Sequence, residues 1–407
     1  MSASSTATLL AIVDTRIDEP PPASPVEQFR RALPLAGSTL LVGGAVHMLW
    51  LFVQLYLKSQ DVPTFWIGMV ATLNATGMLA GGLLWGTVAD HVQRRRLLAV
   101  LVVGLSLTIA LLGFLPPTSI ILGSAIIRSL LFAGSGAVTI AIISGSSTAS
   151  QRGKNLSYIS SARALGFAFG AIASGYLLEW LGFRCAFLIA AGLPLLALRF
   201  ILQLPAENPI KRSRASNALS HALRSGLADL YIALALRQMA VFGAFGLLYI
   251  YMDSLGIPPS RMGIVSSLNM VTQVGALLAF GWLADRIGRR TVFMIGFGLS
   301  VLTPLQFVIL PNLLGMALGY VTLGLGYSSL HVGATAHIGD RVGDDRQGQM
   351  MGLYESSRGL GGIAGPALAG AIIPLTDFHG MFLIMAGIAA LGFLLMLVRG
   401  ARGASKD

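Results

Sequence analysis

Arg128 and Glu355 stand inside long apolar stretches of this 407-residue chain. An ionisable group deep in hydrocarbon costs about 2.5–3.5 kcal/mol on insertion scales, so it marks a cavity, a partner or a proton path. Glu355 is the one acid well within the C-terminal apolar region apart from residues at segment ends such as Asp253 and Asp340, which makes it the candidate proton carrier. His47, Trp50 and Gln54 are spaced three and four residues apart and share one helical face. An imidazole there suits substrate hydrogen bonding or proton exchange, because its ordinary pKa lies near 6.5; the alternative is a histidine satisfied by a carbonyl. Tyr320, Tyr327 and His331 step along another face at spacings of seven and four, and Arg237, Gln238, Tyr249 and Tyr251 fall together on a third segment. Aromatic stripes pack as well as recognise; on cavity-lining helices they contribute to recognition. The candidate substrate-binding set is therefore His47, Trp50, Gln54, Arg128, Arg237, Tyr249, Tyr320, Tyr327 and His331.

Other chemistry lacks its parts. Cys185 is the single cysteine, which excludes an intrachain disulfide and a Cys-ligated metal cluster. No Gly-rich phosphate loop with a following Lys-Ser/Thr occurs, and the six histidines are scattered. No catalytic residue, metal site or cofactor is expected, and the chain does not read as an enzyme; energy must come from an ion gradient or from the substrate itself.

The elements that must position these residues are set by the solvent. Hydrophobic residues make up 55% and charged residues 11%, against about 25% charged in a soluble domain, and mean hydropathy is +0.75. Twelve apolar segments, each near the roughly 20 residues that cross a bilayer, are expected at 33–57, 65–89, 97–115, 118–143, 157–181, 185–204, 230–253, 261–284, 291–310, 312–338, 350–374 and 379–398. They are continuously apolar rather than alternating, so they predict helices and not a barrel. Residues 1–30 read as a disordered cytoplasmic tail, 31–204 as one six-helix bundle, 205–228 as a polar cytoplasmic linker, 229–398 as a second bundle and 399–407 as a cytoplasmic tail. With both termini inside, the inner loops collect Arg94, Arg95, Arg96, Arg152, Lys154, Lys211, Arg212, Arg214, Arg224, Arg286, Arg289, Arg290, Arg341 and Arg346, while the outer turns hold Lys58, Arg184 and Arg261. That asymmetry places the protein in a cytoplasmic membrane. It also accounts for the net charge of +11 through anionic lipid, without a nucleic-acid partner.

The two halves repeat. Gly86-Thr-Val-Ala-Asp90-His-Val-Gln-Arg94-Arg95 and Gly281-Trp-Leu-Ala-Asp285-Arg-Ile-Gly-Arg289-Arg290 lie 195 positions apart. The same offset relates Gly68 to Gly263, Asn74 to Asn269, Gly153 to Gly348, Arg163 to Arg358, Gly166 to Gly361, Gly170 to Gly365, and Phe187-Leu188-Ile189 to Phe382-Leu383-Ile384. In each turn a glycine permits close approach of a neighbouring helix, and Asp90 or Asp285 can face a helix N-terminus. Six helices, a basic loop, six helices and this turn in both halves resemble the major facilitator superfamily, closest to its compact drug/metabolite:proton antiporters. The second turn fits the superfamily pattern throughout; the first has His91 where Arg or Lys is usual and Gln93 where Gly is usual.

The resemblance implies an all-α membrane protein of two pseudo-symmetric six-helix bundles that rock about a midplane site, with Gly86, Asp90, Arg94, Arg95, Gly281, Asp285, Arg289 and Arg290 in the gate. Arg163 and Arg358, each within two turns of the same membrane face, join that gate. Arg128, in Ile126-Ile-Arg128-Ser-Leu-Leu-Phe-Ala-Gly134, resembles the central Arg of the antiporters' helix-4 motif, which implies proton coupling, although Leu131 replaces the usual Gln. The glycines before Pro366 resemble a degenerate form of the antiporters' helix-5 motif displaced to the eleventh segment, and close packing with a kink explains them better than a direct mechanistic role. Three functions compete: proton-coupled efflux of amphiphilic compounds; proton-coupled uptake of a sugar, nucleoside or organic anion, favoured by the surplus of arginine over Glu355; and a lipid flippase or non-transporting receptor. The expected partners are a small-molecule substrate, protons and the lipid bilayer, with the chain acting as a monomer.

Overall fold

The computed structural model describes residues 25–146, 149–205, 227–341 and 347–403. Residues 1–24 of the expected tail and nearly all of the linker over 205–228 fall outside these residues, as do Lys211, Arg212, Arg214, Arg224 and Arg346; residues 25–30, expected in the disordered tail, are helical. The helices are α1 (Pro25–Ser59), α2 (Thr64–Val88), α3 (Arg94–Leu112), α4 (Thr118–Ser146), α5 (Ala149–Ile201), α6 (Ala228–Gly246), α7 (Leu248–Ser254), α8 (Pro259–Ile287), α9 (Arg289–Ile309), α10 (Leu313–Arg341), α11 (Gln347–Ile372) and α12 (Phe378–Gly403). In lipid every backbone polar group must be satisfied within its segment, and helices do that.

Eleven helices among the described residues are long and apolar enough to cross a membrane, one of them the 48 residues Lys154–Ile201. Gly182, at φ 70 and ψ 176, breaks that helix into two arms, so the crossings number twelve. The expected seventh segment is also discontinuous: α6 ends at Gly246 and α7 starts at Leu248, with Leu247 at φ −127 between them. The ring of Pro366 lies 3.0 Å from where a Cβ on Gly246 would sit, so α11 abuts the chain where it unwinds.

The duplication holds in three dimensions. Asp61 and Gly256 take the same left-handed turn (φ 53 and 70), and Gly182 and Asp377 both have positive φ, each pair 195 apart. Tyr56 meets Phe183 and Phe187 with centroids 5.4 and 6.2 Å away, and its equivalent Tyr251 meets Phe378 and Phe382 at 5.1 and 5.0 Å. Within the first half α1 lies along α5, α2 on α4, and α3 on α4 and α5; in the second α6 packs on α11 and α12, α8 on α10, and α9 on α10 and α12. The halves meet through α2 with α11 and α5 with α8.

Glycines make these approaches possible, since helix association in lipid relies on close backbone packing. A Cβ on Gly166 or Gly170 would strike the carbonyl of Leu40 or Gly44, and on Gly361 or Gly365 that of Ala235 or Met239, the same contacts 195 residues on. Between halves, Gly68 faces the Pro366 carbonyl as Gly263 faces that of Ala171, and Gly370 abuts Thr64 as Gly175 abuts Pro259. The motif glycines therefore act as packing surfaces. Leu278, Trp180 and Phe114 are more than 70% exposed, as a lipid-facing belt requires.

Candidate functional site: the cleft between the halves

A cleft with about 60 Å³ of open space, walled almost entirely by the first bundle, lies where that bundle meets Gly246 of the second. Its wall is mainly apolar: Val46, Leu49, Trp50 and Val53 of α1, Ile67, Val70 and Ala71 of α2, and Phe132 of α4. Gln54, Asn74, Arg128 and Ser129 supply the polar groups, and Gly246, at the break before α7, closes the side belonging to the second half. Trp50 bridges the halves edge-on to Phe242, with centroids 6.2 Å apart. Arg128 is buried and donates to Ser124 Oγ at 2.7 Å; Gln54 Oε1 is buried with no partner among the described residues. A ligand would find unspent hydrogen-bonding capacity on an otherwise greasy wall, the usual make-up of a small-molecule site.

Trp50, Gln54 and Arg128 thus converge as the sequence suggests, and His47 does not. Its ring packs on Phe167 of α5 (5.4 Å), and Phe167 in turn stands against Phe132 of the wall (6.4 Å), so His47 lies behind the lining. Its Nε2 is buried without a partner among the described residues. Asn74, Ser129 and Phe132 were missed; the repeat of Asn74 at Asn269 was the available signal for the first, and nothing marked the other two.

The expected stripe on α10 divides, because seven residues is two helical turns, about 10 Å. Tyr320 joins a packed group with Phe245 (5.1 Å) and the Tyr249 hydroxyl, itself beside Ser266. Neither Tyr249 nor Tyr320 lines the cleft. Tyr327 and His331 stack at 5.7 Å and lie near Tyr354 and Arg358 of α11: the guanidinium is 5.2 Å from the Tyr327 ring and 5.4 Å from that of Tyr354, and His331 is 6.4 Å from Tyr354. Arg358 also pairs with Glu355 at 3.1 Å, with side chains 16% and 60% exposed. Arg237 of α6 is buried within electrostatic reach of Arg358, Tyr354 and Tyr327 and donates to Ser300 Oγ of α9 and Gln238 Oε1, both at 2.9 Å. Arg358, expected in the gate, is therefore a member of an aromatic-cationic cluster inside the second bundle, whereas its repeat partner Arg163 is exposed.

The repeated turns differ. Arg94 is buried and donates to the Ala141 carbonyl, Arg95 to that of Leu204, both at 3.0 Å, pinning the start of α3 to α4 and to the end of α5. Asp285, Arg289 and Arg290 are exposed. Gly288 adopts φ 89, while Gln93, in the equivalent place, sits at φ −57; the first turn is built without the left-handed residue, which is why it tolerates glutamine. The helices after the two turns have Gln93 and Gly288 as N-caps, without side-chain bonds. One expectation is not met here: a Cβ on Gly86 or Gly281 would meet nothing within 4 Å, so these glycines admit no neighbouring helix in this arrangement.

The opposite, far end is shut. Besides the four glycine contacts, Thr72 donates to the Ile363 carbonyl at 2.8 Å, and Lys58 pairs with Asp253 at 2.5 Å while reaching the Ile250 carbonyl at 3.5 Å. Lys58 and Asp253 are themselves 195 apart, opposite charges at duplicated positions.

Comparison with known proteins matches the sequence profile of the Major Facilitator Superfamily to residues 35–258 and 230–407. A multidrug resistance protein, MdtG, of Klebsiella pneumoniae (strain 342) is 25% identical over 374 residues, covering 86% of this chain and 88% of the relative. An uncharacterized MFS-type transporter of Yersinia pestis (strain Pestoides F) is 26% identical over 391 residues, covering 91% and 96%. Among solved structures, the nucleoside transporter NupG superposes with a TM-score of 0.76 at 15% identity, covering 90% of this chain and 99% of that one, and the POT family transporter PepTSo with 0.76 at 12%, covering 93% and 99%.

Proposed function

This chain belongs to the Major Facilitator Superfamily, and we propose that it exports small amphiphilic organic molecules across a bacterial inner membrane by alternating access, in exchange for protons and as a monomer. At family level it is a multi-pass membrane transporter whose relatives are transporters and not enzymes. The observation that carries the finer reading is the cleft: apolar and aromatic walls around Gln54, Asn74 and Arg128 suit a ligand held mainly by its apolar body and oriented by one or two polar contacts. Relatives named multidrug resistance proteins support the same direction. Residues 31–204 and 229–398 are the two rocking bodies. With the basic turns on the cytoplasmic side, the closed far end faces outward and the cleft loads from inside, the arrangement from which export starts. Arg128 and Glu355 are the proton-coupling candidates, and the two repeated turns, with Arg163, are the inner gate.

A second reading, proton-coupled uptake of a sugar, nucleoside or organic anion, is favoured by Arg128, Arg237 and Arg358 against the single Glu355. Sealed proteoliposomes with an internal pH dye separate the two. Internal alkalinisation when a lipophilic cation is added outside supports exchange, and acidification with a sugar or organic anion supports co-transport. Absence of any pH response to compounds that the purified protein binds overturns proton coupling.

A further inference from the structure

We propose that the second bundle holds a subsite for the carboxylate of an aromatic organic acid, built from Arg237 and Arg358 with Tyr327, His331 and Tyr354 as its apolar walls. The proposal deepens the reading of the chain as a transporter of small organic molecules and rests on it.

The argument starts from an imbalance of charge. Arg237 is 4% exposed and Arg358 16% exposed at its side chain, so two guanidinium groups occupy the interior of a lipid-embedded bundle. Among the described residues one carboxylate accompanies them, and it is poorly placed to neutralise both: Glu355 is 60% exposed and bonds Arg358. Buried charges require a partner. Arg237 spends Nε on Ser300 and Nη1 on Gln238, both neutral acceptors, while its Nη2 is buried with no acceptor among the described residues. A guanidinium presents its donors in a planar fork that matches a carboxylate, and one edge of this fork is unspent.

The walls specify what the carboxylate is attached to. Tyr327 and His331 stack nearly parallel, at 7°; Tyr354 stands at 62° to His331; and Arg358 lies over both tyrosine rings. Flat apolar faces beside a cation favour a planar π-system. His331 Nδ1 is also buried without a partner among the described residues, so a second donor or acceptor is available to the same ligand. The net excess of one positive charge selects a monoanion. A lipophilic cation is repelled here.

Glu355 becomes the resident counter-ion that the incoming carboxylate displaces from Arg358. This gives the test a sign that a purely structural cluster does not have. In nanodiscs carrying the full chain, binding of 1-naphthoate is compared with that of its neutral amide, 1-naphthamide, by titration calorimetry. The subsite predicts at least about tenfold preference for the acid, the worth of one charge-assisted hydrogen bond. Glu355→Gln, a change at an exposed side chain, strengthens naphthoate binding, and Arg358→Gln weakens it about tenfold or more and narrows the preference for the acid over the amide. Equal affinity for acid and amide in the unmodified protein overturns the proposal whatever the variants do, as does weaker naphthoate binding in Glu355→Gln. If naphthoate binds as stated and no amphiphile moves in proteoliposomes, the subsite stands and the transport reading fails; if other amphiphiles move and naphthoate does not bind, the subsite fails alone.

Discussion

Replacing Asp253 by asparagine removes the carboxylate that Lys58 holds across the two halves at 2.5 Å. Unit charges at that distance attract by about 1.7 kcal/mol at the permittivity of water. A pair whose side chains are 33% and 41% exposed keeps less than about 1 kcal/mol once screening and side-chain ordering are counted. The same end is held by the glycine contacts and the Thr72 bond to Ile363, and Lys58 retains the Ile250 carbonyl. The expected result is therefore a shift of roughly fivefold or less in the ratio of far-end-closed to far-end-open molecules, not collapse of the interface. Spin labels on the far-end loops of each half, introduced after Cys185→Ser, report that ratio as a distance distribution by pulsed electron resonance in nanodiscs. Because the two positions are repeat equivalents, the charge swap Lys58→Asp with Asp253→Lys restores the original distribution. An opening well beyond fivefold in Asp253→Asn, or a charge swap more open than Asp253→Asn, would refute the reasoning.

Three further outcomes are expected. Gly68→Ala and Gly263→Ala each drive a methyl group into a backbone carbonyl, of Pro366 or Ala171, and open the far end more than loss of the ion pair does; unaltered distances in either variant contradict the packing account. Arg128→Ala and Glu355→Gln each abolish gradient-driven transport with membrane insertion intact, measured as accumulation in vesicles, and full accumulation removes that residue from the mechanism. Asp285→Asn slows interconversion of the two facing states more than it weakens substrate binding; exchange rates equal to those of the unmodified protein would count against a gating role.

Much of this architecture was legible because lipid leaves the chain few choices. Continuous apolar runs can only be helices there, and the 195-residue offset predicted which helix of one half corresponds to which of the other. The glycines of the fifth and eleventh segments were legible as packing sites for the same reason: without a side chain they admit a carbonyl, and they do so at equivalent places. The break before α7 was invisible, since Gly246-Leu-Leu248 is as apolar as its surroundings and Pro366, which packs against it, arrives from another helix. The cluster around Arg237 drew on α6, α9, α10 and α11, so no spacing within one segment described it. His47 shows the reverse error: helical periodicity placed it beside Trp50 and Gln54, and Phe167 from α5 took it off the lining.

The contacts that close the far end are reciprocal. Position 68 meets 366 as 263 meets 171, 370 meets 64 as 175 meets 259, and 58 meets 253, its own counterpart. That is the contact rule of an isologous dimer, in which residue i of one subunit touches j of the other and j touches i, while a residue on the axis touches its copy. Each half thus offers the other the surface that it would offer a twin of itself. Fusion into one chain then adds local concentration rather than geometry, and it frees the two copies to diverge. Lysine and aspartate at one axial position are a pair that no symmetric dimer could have made.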